Sequence, residues 1–237
     1  MARKSRPVEV DVKDAGTVVV VTPPASVTLP KDVADIVRRA AAGAAGDADA
    51  SGPDAAGEDR ASTTEHRVDI GGQSVAFVAS AGTLTLKDED GKPKARIFYT
   101  AYVRQDAEGP ARRPITFTFN GGPGSSSVWL HMGAFGPRRV VLPDDASPPP
   151  PPYRLADNAH SILDISDLVF IDPVSTGYSR AVTGEDPKQY HGVTPDVESG
   201  GEFIRLYVTR HRRWGSPKFL AGESYGTPDG NPIAVGT

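Results

Sequence analysis

Gly222-Glu223-Ser224-Tyr225-Gly226 has the form G-x-S-x-G. Glycines flanking a serine in this way permit a sharp strand-to-helix turn that lifts the hydroxyl clear of the chain for attack on a carbonyl carbon. The chemistry would be acyl transfer through Ser224, although five-residue matches of this kind also occur as ordinary Gly-rich turns. A second segment, Asn120-Gly121-Gly122-Pro123-Gly124, is a Gly-rich loop of the kind that turns backbone N–H groups toward an oxyanion. Acyl transfer at such an elbow needs two donors, one after the nucleophile and one from an early strand-to-helix loop. The N–H groups of Tyr225 and Gly122 fill those places. A phosphate cradle is the competing use for the glycines, but neither G-x-x-x-x-G-K-[ST] nor G-x-G-x-x-G follows the strand.

Both loops need strands to carry them. Ile115–Phe119 is a short apolar strand ending at Asn120, and Lys218–Ala221 leads into the Ser224 turn. Asp167–Asp172 is another apolar strand, stopped by Pro173, and Val140–Leu142 suits a further short one. Asp196–Arg213 is predicted to be a helix, with Val197, Gly201, Ile204, Val208 and His211 on one side. Upstream, residues 64–70, 75–80, 83–87 and 95–103 read as antiparallel strands at a sheet edge, with turns at Gly71-Gly72, Ala81-Gly82 and Asp88–Pro93. The five prolines Pro148–Pro152 form a stiff spacer. Short apolar strands alternating with helices imply an α/β domain with a mostly parallel sheet and antiparallel N-terminal edge strands.

Three ordered segments carry a family resemblance. Asn120-Gly121-Gly122-Pro123-Gly124-Ser125-Ser126, Asp172-Pro173-Val174-Ser175-Thr176-Gly177-Tyr178-Ser179 and Lys218–Gly226 resemble, in order, the signatures of the serine carboxypeptidases, a branch of the α/β-hydrolases. The resemblance covers roughly residues 64–227. It implies an α/β-hydrolase fold, Ser224 as the acylated nucleophile, and an oxyanion hole made by Gly122 and Tyr225. It also implies that Asn120 and Glu223 bind the free C-terminal carboxylate of a peptide, with no metal or organic cofactor. A protonated Glu can donate to a carboxylate whereas an ionised one repels it, so this role favours acidic pH. Structural alternatives are an exposed charge beside a turn for Glu223 and a turn-forming Asn for Asn120.

The sequence also departs from the family pattern. Ser125 stands where the best-known secreted members have Cys, and Ala134 stands where many relatives carry a Glu of the carboxylate-binding network. Trp129, His131 and Met132 follow the Gly-rich loop, where they line either substrate space or core. In α/β-hydrolases the triad runs Ser, Asp, His in chain order. All five histidines precede Ser224, and Asp229 alone among acidic residues follows it. The tail Thr227–Pro232 is built of turn formers and helix breakers rather than the helix an elbow needs. The chain therefore reads as the N-terminal half of a carboxypeptidase-like sequence, weak or inactive alone. An esterase or acyltransferase of the same fold and a non-catalytic fragment are the alternatives.

The expected organisation is a flexible low-complexity extension over residues 1–63, with a short amphipathic helix over Lys31–Ala42. A partial hydrolase domain over 64–227 and an irregular tail over 228–237 follow. The 237 residues include 26 basic and 30 acidic side chains and no Cys, for a formal charge of −4. Disulfides and thiol chemistry are thereby excluded, and the mild mixed charge gives no reason to expect nucleic acid. No apolar run approaches the roughly 18 residues of a membrane span. The N-terminus is a poor secretory signal, which slightly favours the cytoplasm. The expected partner is a peptide with a free C-terminus.

Overall fold

Alternating apolar residues set the strands, and two facing cores receive them. The computed structural model describes residues 59–105, 109, 112–143, 145 and 147–226. The expected extension up to residue 58 and the tail after Gly226 lie outside the described residues. The described strands are β1 (Ala61–Ile70), β2 (Gln73–Lys87), β3 (Pro93–Arg104), β4 (Ile115–Phe119), β5 (Arg138–Val140), β6 (Leu155–Asp157), β7 (Asp167–Ile171), β8 (Arg180–Ala181) and β9 (Lys218–Gly222). Helix α1 covers Val193–Arg210, and a π-helical turn covers Leu130–Phe135. The large sheet has the order β1-β2-β3-β7-β4-β9, with β8 also paired to β3, while β5 and β6 form a separate ribbon.

The expectation of a mostly parallel sheet is wrong. The β1–β2, β2–β3, β3–β7 and β3–β8 pairs are antiparallel, and only β4–β7 and β4–β9 are parallel. Helix-linked parallel strands supply just three short members, whereas the hairpin-linked arms β1 to β3 run 10 to 15 residues each. Hairpins need only tight turns, and Gly71 and Gly72 provide one with φ of +58° and +82°. The arrangement of helix and sheet is otherwise α/β.

The expected turn at Ala81-Gly82 is also absent, because β2 passes through it as one strand. Gly82 pairs with Ala61 on one side and Tyr99 on the other. A methyl group there would come 2.5 Å from the Arg60 carbonyl oxygen, so this glycine serves close approach of backbones rather than reversal. Helix α1 begins three residues earlier than its periodicity suggests, with Pro195 in the first turn, where no intrahelical N–H is needed.

Each face of the sheet is covered. Val169 and Ile171 of β7 join Ile97, Tyr99, Phe117 and the Phe203, Ile204, Tyr207 and Val208 stripe of α1 in one core. Leu168 and Phe170 point to the other, with Val75, Phe77, Leu130 and Leu163. Strands β7, β4 and β9 run in the same direction, so residues 172, 120 and 223 leave the sheet at one edge. The opposite edge is pinned by the fully buried Asp167. Its carboxylate accepts from Arg113 Nε at 3.0 Å, Arg213 Nη1 at 2.6 Å and the Arg104 backbone N–H at 3.0 Å.

Candidate active site

Buried strand β9 delivers the chain to the sheet edge, where it turns at once into a short 3₁₀ segment, Ser224–Gly226. Ser224 is exposed and has a φ of +55°. A left-handed serine is costly for an L-residue, and the turn imposes it while presenting the side chain outward. The neighbouring loop holds this geometry from beneath. Glu223 N–H donates to the Phe119 carbonyl at 3.2 Å. A methyl group on Gly121 would lie 2.5 Å from the Glu223 carbonyl oxygen, 2.9 Å from Ser224 Cβ, and closer still to the Tyr225 nitrogen. Only a residue without a side chain lets the two loops touch in this way.

Asn120 and Glu223 meet across the two strand ends. Asn120 Nδ2 donates to Glu223 Oε2 at 3.5 Å, a long contact, while its Oδ1 accepts from the Leu130 N–H at 3.1 Å. Asn120 is thus buried between the elbow and the π-helical turn. Gly122 follows with φ +127°, and the loop closes where Ser125 N–H donates to the Gly121 carbonyl at 3.1 Å. The five residues picked from the sequence, Asn120, Gly122, Glu223, Ser224 and Tyr225, therefore stand on two adjoining strand ends. Burial and the Asp196 carboxylate raise the Tyr225 hydroxyl above the ordinary phenol range.

The third loop braces the other two. Asp172 accepts from the Ser127 N–H at 3.0 Å and the Tyr178 N–H at 3.4 Å. Ser127 Oγ donates to the carbonyls of Thr118 and Ile171. Burial raises the Asp172 carboxyl above its usual range, with the hydrogen bonds from Ser127 and Tyr178 opposing. A side chain at Gly177 would collide with this carboxylate. No local signal in this segment gives Asp172 a task, because its partners are separated from it by up to 45 residues.

His131, the one histidine beside a site loop in sequence, is a core residue. Its ring stacks on Phe170 with centroids 4.5 Å apart, and Nε2 lies 2.6 Å from Tyr102 Oη. Burial lowers its pKa to about 4, so the ring is neutral at pH 7. Trp129 is exposed beside it. His66 stacks on Phe77, and the His211 ring lies tilted against Tyr207 with centroids 4.2 Å apart. His191 is exposed, with Nε2 3.2 Å from Ser175 Oγ. Among the described residues no three His, Asp or Glu side chains are grouped as for a metal ion, and no helix is long and apolar enough to cross a membrane.

Comparison with known proteins fits these loops. The serine carboxypeptidase family model matches residues 71–228. The chain is 30% identical over 153 residues to Serine carboxypeptidase-like 34 of Arabidopsis thaliana, covering 64% of this chain and 28% of that protein. It is 30% identical over 151 residues to Carboxypeptidase Y of Saccharomyces cerevisiae, covering 61% and 24%. Among solved structures it is similar to a prohormone-processing carboxypeptidase from Saccharomyces cerevisiae, with a TM-score of 0.50 and 25% identity over 63% of this chain and 31% of that one. The chain thus spans less than a third of the length of each of these relatives. With a family match over the greater part of its length, and the matching segments gathered at one sheet edge, the chain belongs to the serine carboxypeptidase family, serine-type peptidases of the α/β-hydrolase superfamily.

Proposed function

We propose that Ser224 is the nucleophile of a carboxypeptidase reaction. The observation that carries this reading is the left-handed, outward Ser224 turn with Gly121 packed directly beneath residues 223–225. Ser224 Oγ attacks the carbonyl of the last peptide bond, and its proton passes through a general base to the leaving amine. The C–N bond breaks, the C-terminal amino acid departs, and water then hydrolyses the acyl ester. The N–H groups of Gly122 and Tyr225 stabilise the tetrahedral oxyanion, each such donor being worth roughly 3–4 kcal/mol. Asn120 and Glu223 receive the free carboxylate of the departing residue. Their side chains already face each other on the Glu223 side of the nucleophile.

In the family order the general base follows the nucleophile, and the five histidines of this sequence all precede Ser224, so none of them fills that place. An esterase or acyltransferase is the second reading, favoured by Ala134, whose methyl packs against the core where many relatives present a carboxyl to the substrate.

Intact-mass analysis after incubation with a fluorophosphonate tests the nucleophile. An adduct on the parent, lost in Ser224→Ala, is expected, and a label that survives the substitution overturns the assignment. Binding of an N-blocked dipeptide as acid and as amide separates peptidase from esterase. Capping the carboxylate weakens binding for the first and is indifferent for the second.

A further inference from the structure

Two carboxylates are buried among the described residues, at opposite ends of β7. Asp167 is held by two arginines and serves the fold. Asp172 stands at the edge that carries the Ser224 turn, and no step of the reaction proposed above uses it. Its backbone is fixed, with its N–H donating to the Phe98 carbonyl at 3.1 Å and its carbonyl accepting from Ser179 Oγ at 2.6 Å. Ser179 Oγ in turn accepts from the Phe98 N–H at 2.7 Å. The side chain reaches across to the Gly-rich loop. There Oδ1 accepts from the Ser127 N–H, while Oδ2 accepts from the Tyr178 N–H. Gly177, with φ +45°, leaves the room this carboxylate occupies, since a methyl group there would collide with Oδ2. Arg180, engaged with the Gly177 and Ser179 carbonyls, adds electrostatic attraction.

We propose that Asp172 is a positioning residue for the oxyanion hole, its carboxylate holding the Ser127 end of the loop that presents the Gly122 N–H. The role rests on the reading of Ser224 as nucleophile and of Gly122 as an oxyanion donor. The loop is fastened at two ends. At the near end Asn120 holds the Leu130 N–H, and Gly121 lies beneath residues 223–225. At the far end Ser127 is tied by its hydroxyl to the Thr118 and Ile171 carbonyls and by its N–H to Asp172. Between the two, Gly122 and Gly124 have φ of +127° and +103°, and glycines keep a stretch free to relax once one fastening is lost. A carboxylate suits the task because it only accepts, so its two oxygens take N–H donors arriving from two different loops. An amide in its place offers one acceptor and turns a donor toward the other N–H, which is costly in a buried site. An oxyanion donor must be held to within about 0.5 Å. A group acting through the loop therefore governs the rate.

The rate of fluorophosphonate labelling of the full chain, followed by intact mass over a range of probe concentrations, tests this. Ser224 Oγ displaces fluoride from phosphorus, and the phosphoryl oxygen gains charge in the oxyanion hole. Asp172→Ala should lower the maximal labelling rate about a hundredfold, and Asp172→Asn, which keeps one acceptor, about tenfold. Gly177→Ala displaces the carboxylate without removing it and should also cost about tenfold. The half-saturating probe concentration should stay within about twofold throughout, since ground-state binding does not use the hole. Circular dichroism melts establish that each variant is folded, and Asp172→Asn with Gly177→Ala decide the matter if Asp172→Ala is not. Rates within about twofold of the parent in the folded variants, equal losses for Ala and Asn at 172, or a change confined to the half-saturating concentration overturns the role. No adduct on the parent, or one that survives Ser224→Ala, overturns the nucleophile reading and this role with it. An adduct confined to Ser224 whose rate ignores every substitution at 172 and 177 overturns this role alone.

Discussion

Gly121→Ala should separate the Gly-rich loop from the Ser224 turn. The added methyl would lie 2.5 Å from the Glu223 oxygen, whereas ordinary van der Waals contact begins at 3.4 Å, so the two backbones must part by roughly 1 Å. The obstructing atoms belong largely to the chain of residues 223–225, anchored by β9, and cannot swing aside as a side-chain tip would. Overpacking of this kind costs about 1–3 kcal/mol. Gly121 has no left-handed φ, so space alone is being tested. Two controls bracket it. Gly133 has no described heavy atom within 4 Å of its virtual methyl and no left-handed φ, so Gly133→Ala should be neutral or stabilise by about 0.4–1 kcal/mol. Gly124 is equally open but has φ +103°, so Gly124→Ala reports backbone strain without collision. The assay is urea unfolding followed by tryptophan fluorescence. With a slope of roughly 2 kcal/mol/M, the Gly121→Ala midpoint should fall by about 0.5–1.5 M. A midpoint indistinguishable from that of Gly133→Ala would refute the packing of this loop beneath the elbow.

Two further substitutions probe the frame around the site. Asp167→Asn removes the charge that pairs Arg113 and Arg213 at the buried end of β7. It should cost about 3–5 kcal/mol in the same urea assay, a loss below about 1 kcal/mol contradicting the pairing. His131→Phe should flatten the acid limb of the stability profile. The native pKa of about 4 lies below the ordinary 6.5, so the unfolded chain binds more protons between those values and stability falls as pH drops from 6.5 to 4. The parent should lose roughly 3 kcal/mol across that window through His131. Parallel profiles for parent and variant would show that the ring is not held neutral in the core.

Local chemistry was legible where a few adjacent residues determine it. An apolar run ending in G-x-S-x-G predicts a strand followed by a tight turn, since only glycines fit both sides of that reversal. The same holds for Asn120–Gly124 after β4, and in α1 for Ile204 and Val208, which are buried, whereas His211 of the same predicted side is exposed. What the sequence could not decide was partnership across distance. Gly82 reads as a turn residue, yet neighbouring strands on both sides turn it into a point of backbone contact within β2. The hairpin arms outweigh the parallel strands because their lengths, not their number, set how the sheet is paired. His131 sits beside a site loop along the chain, but Phe170 and Tyr102, 39 and 29 residues away, draw it into the core. Asp172 accepts from the Ser127 N–H, 45 residues away along the chain, because β7 and β4 run parallel and end at the same edge. Burial and electrostatic reach are properties of that edge, so only the tertiary structure could assign them.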